Sequence, residues 1–87
     1  MEVEFLRSFE KDLYKADAST RRKILSIVMR MEEARTLSDM PQVKKLKGHK
    51  DAYRLRIGQF RLGFFVQGDK LQLARLLDRR DIYRSFP

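Results

Sequence analysis

The chain has no cysteine and a single histidine in 87 residues. Without thiols there is neither a disulfide framework nor thiolate ligation of a metal, and a reducing cytoplasm is the expected compartment. No cluster of His or carboxylate residues has metal-ligand spacing, so neither a metal nor a cofactor is expected. Long hydrophobic runs are missing as well: stretches such as Phe64-Phe65-Val66 are too short for a transmembrane helix, and no membrane partner is expected. The start, Met1-Glu2-Val3-Glu4, is acidic and leads into no apolar run of the kind a signal peptide requires. Repeats, linkers and low-complexity segments are absent. The length suits one small core, so residues 1–87 are expected to form one domain.

Positive charge is what the chain has in excess, with a formal net charge of +8. Residues 1–43 carry eight basic and eight acidic side chains, whereas residues 44–87 carry twelve basic against four acidic ones. An excess confined to one half favours a polyanionic partner. Nucleic acid ranks above an anionic membrane because no basic amphipathic helix accompanies the charge. A basic surface that merely keeps a small protein soluble is the plainer alternative.

The segment from Tyr53 through Gly58-Gln59 to Val66 alternates apolar and arginine positions about a short turn, the mark of two strands with one packed and one wet face. With a two-residue hairpin loop, Ile57 pairs with Phe60, Arg56 lies opposite Arg61, and Arg54 faces Gly63. Tyr53, Leu55, Ile57, Phe60, Leu62, Phe64 and Val66 then point to a core, while Arg54, Arg56, Arg61 and Phe65 line the other face. Directly opposed guanidinium groups destabilise a sheet by a few tenths of a kcal/mol or more. Such a pair makes sense beneath an anion, and phosphate is the obvious candidate.

Elsewhere the spacing predicts a strand over residues 2–6 and a first helix capped by Ser8 and running to about Lys15. A second helix, capped by Ser19 or Thr20, should run to about Arg35 and bury Ile24, Ile27, Val28, Met31 and Ala34. Ser38-Asp39-Met40-Pro41 reads as a helix start, placing one or two helical turns over residues 41–45. Strands follow at residues 52–57, 60–67 and 70–77, with a second tight turn at Gly68-Asp69. Residues 79–87 carry no assignable pattern. The expected fold is α+β, a small antiparallel sheet of the N-terminal strand and a three-strand meander, with two helices on one face. The opposite, basic face suits single-stranded RNA, with arginines on phosphates and a ring under a base.

With these elements in order, the stretch Leu46-Lys47-Gly48-His49-Lys50, continued by Tyr53-Arg54-Leu55-Arg56-Ile57-Gly58-Gln59-Phe60-Arg61, resembles the RelE/ParE toxin superfamily of bacterial type II toxin–antitoxin systems. The closing Leu77-Asp78-Arg79-Arg80-Asp81-Ile82-Tyr83-Arg84 is similar to the family's C-terminal signature. The ribonuclease branch implies a toxin acting on the ribosome, where it cleaves mRNA without metal: the ribose 2′-hydroxyl attacks the adjacent phosphate, leaving 2′,3′-cyclic phosphate and 5′-hydroxyl ends. By that resemblance Arg54, Arg56, Arg61, Arg79 or Arg80, and Tyr83 form the catalytic set, the arginines stabilising charge and Tyr83 orienting a base. Lys47, Lys50, Phe65 and Arg75 are expected as further RNA contacts. A cognate antitoxin would cover the basic sheet or displace the tail. Two other family readings stand beside this one, a gyrase-directed toxin and a member that only binds nucleic acid.

Several residues carry open alternatives. Some ribonuclease members have lysines where this chain has Arg54 and Arg56, and many have histidine where it has Asp78. A guanidinium is a poor general base, so positioning and electrostatics would carry the reaction. His49 is either a loop hydrogen-bonding residue or a base. Phe65 stacks on a base, meets a partner helix, or is covered by the tail. Arg75 falls on the core face if the second hairpin loop has two residues and on the basic face if it has three.

Overall fold

The two glycine turns set the frame on which everything else is hung. Gly58 and Gly68 have φ of 58° and 60°, in the left-handed region that a glycine enters without a steric cost. Each therefore closes a two-residue hairpin. The computed structural model describes residues 1–87 as β1 (Glu2–Phe5), α1 (Arg7–Lys15), α2 (Ala18–Glu33), a 3₁₀ turn (Leu37–Asp39), β2 (Val43–Lys45), β3 (Ala52–Ile57), β4 (Phe60–Gln67), β5 (Lys70–Asp78) and α3 (Ile82–Ser85). The strands form one sheet in the order β1-β5-β4-β3-β2. In the first hairpin Ile57 pairs with Phe60, Arg56 with Arg61 and Arg54 with Gly63, the expected register.

Alternation then sorts the side chains. Leu55, Ile57, Leu62 and Phe64 join Leu71, Leu73 and Leu76 of β5, Phe9 of α1 and Ile24, Val28 and Met31 of α2 in the main core. Tyr53, Phe60 and Val66 pack at its edge, as do Ile27 of α2 and Ala34, the residue that caps its C-terminus. The opposite face is not left open. Ile82 and Phe86 of the tail fold back on Ala52 and Ala74 to make a second, small cluster, with Phe65 against it. Phe86 lies over Gly63 so closely that a Cβ there would stand 2.6 Å from its ring. A glycine in mid-strand thus makes room for the tail.

The sheet departs from the sequence expectation in three places. β1 runs parallel to β5, Glu2 opposite Lys70 and Phe5 opposite Leu73, so the sheet is mixed rather than purely antiparallel. Residues 43–45 form a strand against β3 rather than helical turns, with Val43 opposite Leu55 and Lys45 opposite Tyr53. The helix-start signal was real but lay earlier: Thr36 and Asp39 cap the 3₁₀ turn reciprocally. Beyond Pro41 the free edge of β3 supplies the hydrogen bonds that a helix would have made for itself. Thirdly, the register shifts at Gly63/Phe64, where Gly63 faces Arg75 but Phe64 faces Leu73, leaving Ala74 as an extra residue in β5.

Helix α1 completes the sheet edge that β1 leaves uncovered. Leu6 N–H donates to the Leu73 carbonyl at 2.9 Å, and beyond it Ser8 Oγ donates to the Ala74 carbonyl at 2.6 Å. Asp12 Oδ2 accepts from Leu76 N–H at 3.0 Å. Two side chains of α1 thereby satisfy backbone groups that an edge strand would expose. Ser8 therefore serves β5 and does not cap α1, which begins at Arg7 after Leu6 without a side-chain cap.

Nor do Ser19 or Thr20 cap α2. Asp17 does, accepting from Thr20 N–H at 2.7 Å. That backbone hydrogen bond, the Thr20 side chain and then the nearby Arg21 and Arg22 hold the Asp17 carboxyl below the usual carboxylate range. A depressed folded-state pKa contributes stability that is full above the unfolded value and fades as pH falls through the folded one. Asp17→Ala is accordingly expected to melt lower than the wild type at pH 6, with the gap narrowing on acidification below the carboxylate range. Parallel thermal melts across that range test it, and a gap that stayed constant would rule out the charge of Asp17 as the source.

Candidate functional site

A carboxylate-free groove wraps the free end of the first hairpin. On the sheet face, a cleft of about 540 Å³ is lined by Lys44 of β2, Arg54 and Arg56 of β3, Arg61 of β4 and Tyr83 of α3, with Pro41, Gln42 and Val43 at its rim. The alternation that buries Leu55 and Leu62 forces Arg54, Arg56 and Arg61 onto this side. The tail brings Tyr83 to them: Ile82 and Phe86 are buried, which leaves Tyr83 between them 70% exposed on the outward side of α3. The Arg54 guanidinium carbon sits 4.7 Å from the centre of the Tyr83 ring, a cation–π contact that holds both groups at the cleft.

The opposed pair is held apart by separate partners. Arg56 Nε donates to Gln42 Oε1 at 3.1 Å. Arg61 Nη1 donates to the carbonyls of Gly58 at 2.8 Å and Phe60 at 2.9 Å, so it braces the turn as well as facing the cleft. Neither arginine has a carboxylate partner among the ion pairs of the structure. Their charge remains available to an anion.

Around the hairpin end, a second cleft of about 560 Å³ is lined by Lys23, Ile27 and Arg30 of α2, Arg56, Arg61 and Arg79, over Met40 and Leu55. A third, about 180 Å³, lies on the far side of Tyr83 and takes in Lys47, His49 and Arg54. No Asp or Glu lines any of the three.

The expected site residues divide cleanly. Arg54, Arg56, Arg61 and Tyr83 meet in the sheet-face cleft, and Arg79 joins Arg56 and Arg61 round the hairpin end. Arg79 and Arg80, the two alternatives, differ in local geometry. Arg80 turns back on Asp78, donating from its backbone N–H at 2.9 Å and its Nε at 3.1 Å, and stands apart from all three clefts. The Arg80 backbone hydrogen bond, then its side chain, hold the Asp78 carboxyl below the usual range. Asp78 is thus an anion and no proton donor near neutrality.

Two further expectations are corrected. Phe65 does not offer a free ring: it is half-buried, its centroid 5.2 Å from that of Phe86 in the tail. Arg75 shares the sheet face of Arg54 although the second loop has two residues, but its guanidinium is engaged by Asp12 and not open to a ligand. The extra residue Ala74 puts it opposite Gly63, and its guanidinium pairs with Asp12 at 2.7 Å. That hydrogen-bonded pairing raises the Arg75 pKa above its ordinary value. Lys47 and His49 border the third cleft, and Lys50 is exposed on the same loop.

Sequence reasoning missed Lys23, Arg30 and Lys44. The signal for the first two was present: Lys23, Ile27 and Arg30, at i, i+4 and i+7, form one stripe of α2. Counting charge by halves of the chain hid it, because residues 1–43 balance as a whole while one helix face does not. No three His, Cys, Asp or Glu side chains gather as a metal site, and no helix is long and apolar enough to cross a membrane.

Comparison with known proteins agrees with this architecture. The family profile of the ParE toxin of type II toxin-antitoxin system, parDE, matches residues 3–83. Toxin RelE3 of Methanocaldococcus jannaschii is 36% identical over 88 residues, covering 100% of both chains. A chain of the RelB-RelE antitoxin-toxin complex from Methanococcus jannaschii superposes with a TM-score of 0.80 at 34% identity, over 97% of this chain and 99% of that one. The intact E. coli RelBE toxin-antitoxin complex shares the fold at a TM-score of 0.70 and 16% identity, over 88% of this chain and 94% of that one. Archaeal relatives stand beside the bacterial one, so the resemblance extends beyond bacterial systems.

Proposed function

From the premise that the chain belongs to the RelE/ParE superfamily of toxin–antitoxin toxins, we propose that it is a ribosome-dependent mRNA endonuclease. The observation that carries this reading is the convergence of Arg54, Arg56, Arg61 and Tyr83 on one groove without a carboxylate. In the proposed reaction the 2′-oxygen of a ribose forms a bond to the adjacent phosphorus and the bond to the 5′-oxygen breaks, giving a cyclic phosphate and a 5′-hydroxyl. The 2′-hydroxyl proton passes to solvent and the leaving oxygen takes one back. Negative charge builds on the phosphorane, where Arg56 and Arg61 on the sheet face and Arg79 beyond the hairpin end supply fixed positive charge. Tyr83, with the Arg54 guanidinium over its ring, stacks on a base beside the scissile phosphate and fixes its orientation.

The sheet-face cleft holds no histidine and no carboxylate, and a guanidinium stays protonated near neutrality. Positioning and charge stabilisation therefore carry the proposed catalysis. The rate of cleavage on ribosomes is expected to lack an inflection near pH 6.5, the ordinary histidine range. A bend that vanished in His49→Gln would instead make the histidine of the adjoining cleft the base.

Primer-extension mapping of cellular mRNAs after brief induction tests the activity itself. Cleavage sites within translated codons, with 2′,3′-cyclic phosphate ends and persistence in EDTA, are the expected result. The match to the ParE profile favours one other reading, a gyrase-directed toxin, which predicts altered DNA supercoiling with intact mRNA. For a partner, the antitoxin–toxin complexes of its relatives support a cognate antitoxin; an acidic segment of it would match the charge of this groove.

A further inference from the structure

The helix-side cleft holds more positive charge than the scissile phosphate needs. Lys23 and Arg30 enter it from α2, exposed and without ion pair or hydrogen bond. Lys23 lies over the hairpin turn, its Nζ 3.7 Å from where a Cβ on Gly58 would stand. Beneath them Met40 and Leu55 are buried and Ile27 is half-buried, giving an apolar floor under a cationic rim. Two members of that rim, Arg56 and Arg61, also line the sheet-face cleft. The two clefts are therefore one groove that turns round the end of the hairpin.

We infer that this groove carries the RNA strand past the scissile phosphate, and that the helix-side cleft is a second nucleotide subsite. Lys23 and Arg30 take a backbone phosphate, and Ile27, Met40 and Leu55 support the attached ribose or base. The inference rests on the RNA reading of the sheet face. RNA is favoured as the occupant because the shared arginines make the path continuous: a strand held on the sheet face presents its next phosphates to the second cleft at high effective concentration. Its charge is opposite to that of every ionised side chain lining the groove.

The test measures binding of uncleavable 2′-O-methyl RNA oligonucleotides to the full chain by fluorescence anisotropy, comparing lengths of about three and about nine nucleotides. The wild type is expected to bind the longer one at least about tenfold tighter, and Lys23→Ala/Arg30→Ala to remove that gain with the short one unaffected. One fewer neutralised phosphate on a single strand should also reduce the slope of log K against log salt by about 0.7 for the long RNA. Because both side chains are exposed and unbonded, the double variant should melt with the wild type. A length gain and salt slope that survived the double substitution would overturn the subsite. So would weakened binding of a polyglutamate peptide with long-RNA binding unchanged, which would assign the cleft to an acidic protein segment. If the wild type shows no preference for length, the subsite is overturned while mRNA mapping still decides the endonuclease reading by itself.

Discussion

Arg61→Ala should slow mRNA cleavage on ribosomes by about 100- to 1,000-fold, the usual consequence of deleting one preorganised donor to a charged transition state. Growth arrest on induction should disappear with it. Arg61 is positioned for this role by the hairpin register, which sets it opposite Arg56 on the wet face and in both major clefts. The structure attaches a stability effect that alternation alone does not foresee. Arg61 Nη1 donates to two turn carbonyls, each bond worth about 0.5–1.5 kcal/mol net, against a few tenths recovered by relieving repulsion from Arg56. Melting should therefore fall by roughly 5–10 °C, leaving a folded protein at working temperature. Arg79→Ala separates the two effects, because the Arg79 side chain braces nothing: its rate should fall with its melting temperature unchanged. Cleavage by Arg61→Ala within about threefold of wild type would remove this residue from the proposed reaction.

Asp12→Ala is expected to be the most destabilising of the polar substitutions, by about 2–4 kcal/mol or roughly 10–20 °C in melting temperature. The Asp12 side chain is 9% exposed and accepts from Leu76 N–H as well as from Arg75. Its removal orphans a backbone donor at the sheet edge and leaves the Arg75 guanidinium, 31% exposed, without a partner. The exposure of Arg75 keeps the figure below that of a fully buried pair. Arg75→Met in the Asp12→Ala background should recover part of the loss, since one of the two orphaned groups is then gone. Arg75→Met alone should retain mRNA cleavage, in keeping with its place at the α1 edge. A melting temperature for Asp12→Ala within about 2 °C of wild type would show that water replaces the carboxylate at this edge.

Sequence by itself determined whatever depends on short-range periodicity. The hairpin at Gly58-Gln59, the pairing of Arg56 with Arg61 and the buried stripe of α2 each rest on residues close along the chain, where side-chain alternation and turn chemistry act, and the family signature lies in two such short stretches. Arg54, Arg56 and Arg61 were legible as a set for that reason. Tertiary structure alone decided what depends on distant partners. Whether residues 43–45 extend or coil was settled by the free edge of β3. Arg75 was placed by the extra residue Ala74 and by Asp12, 63 positions away. Phe65 was covered, and Tyr83 delivered to the arginines, by a tail whose pattern is too short to read but whose Ile82 and Phe86 find apolar partners only once the sheet exists. Lys23 and Arg30 became part of a groove only when α2 was laid against the hairpin, because a cation stripe on one helix has no meaning until the fold sets other cations across from it.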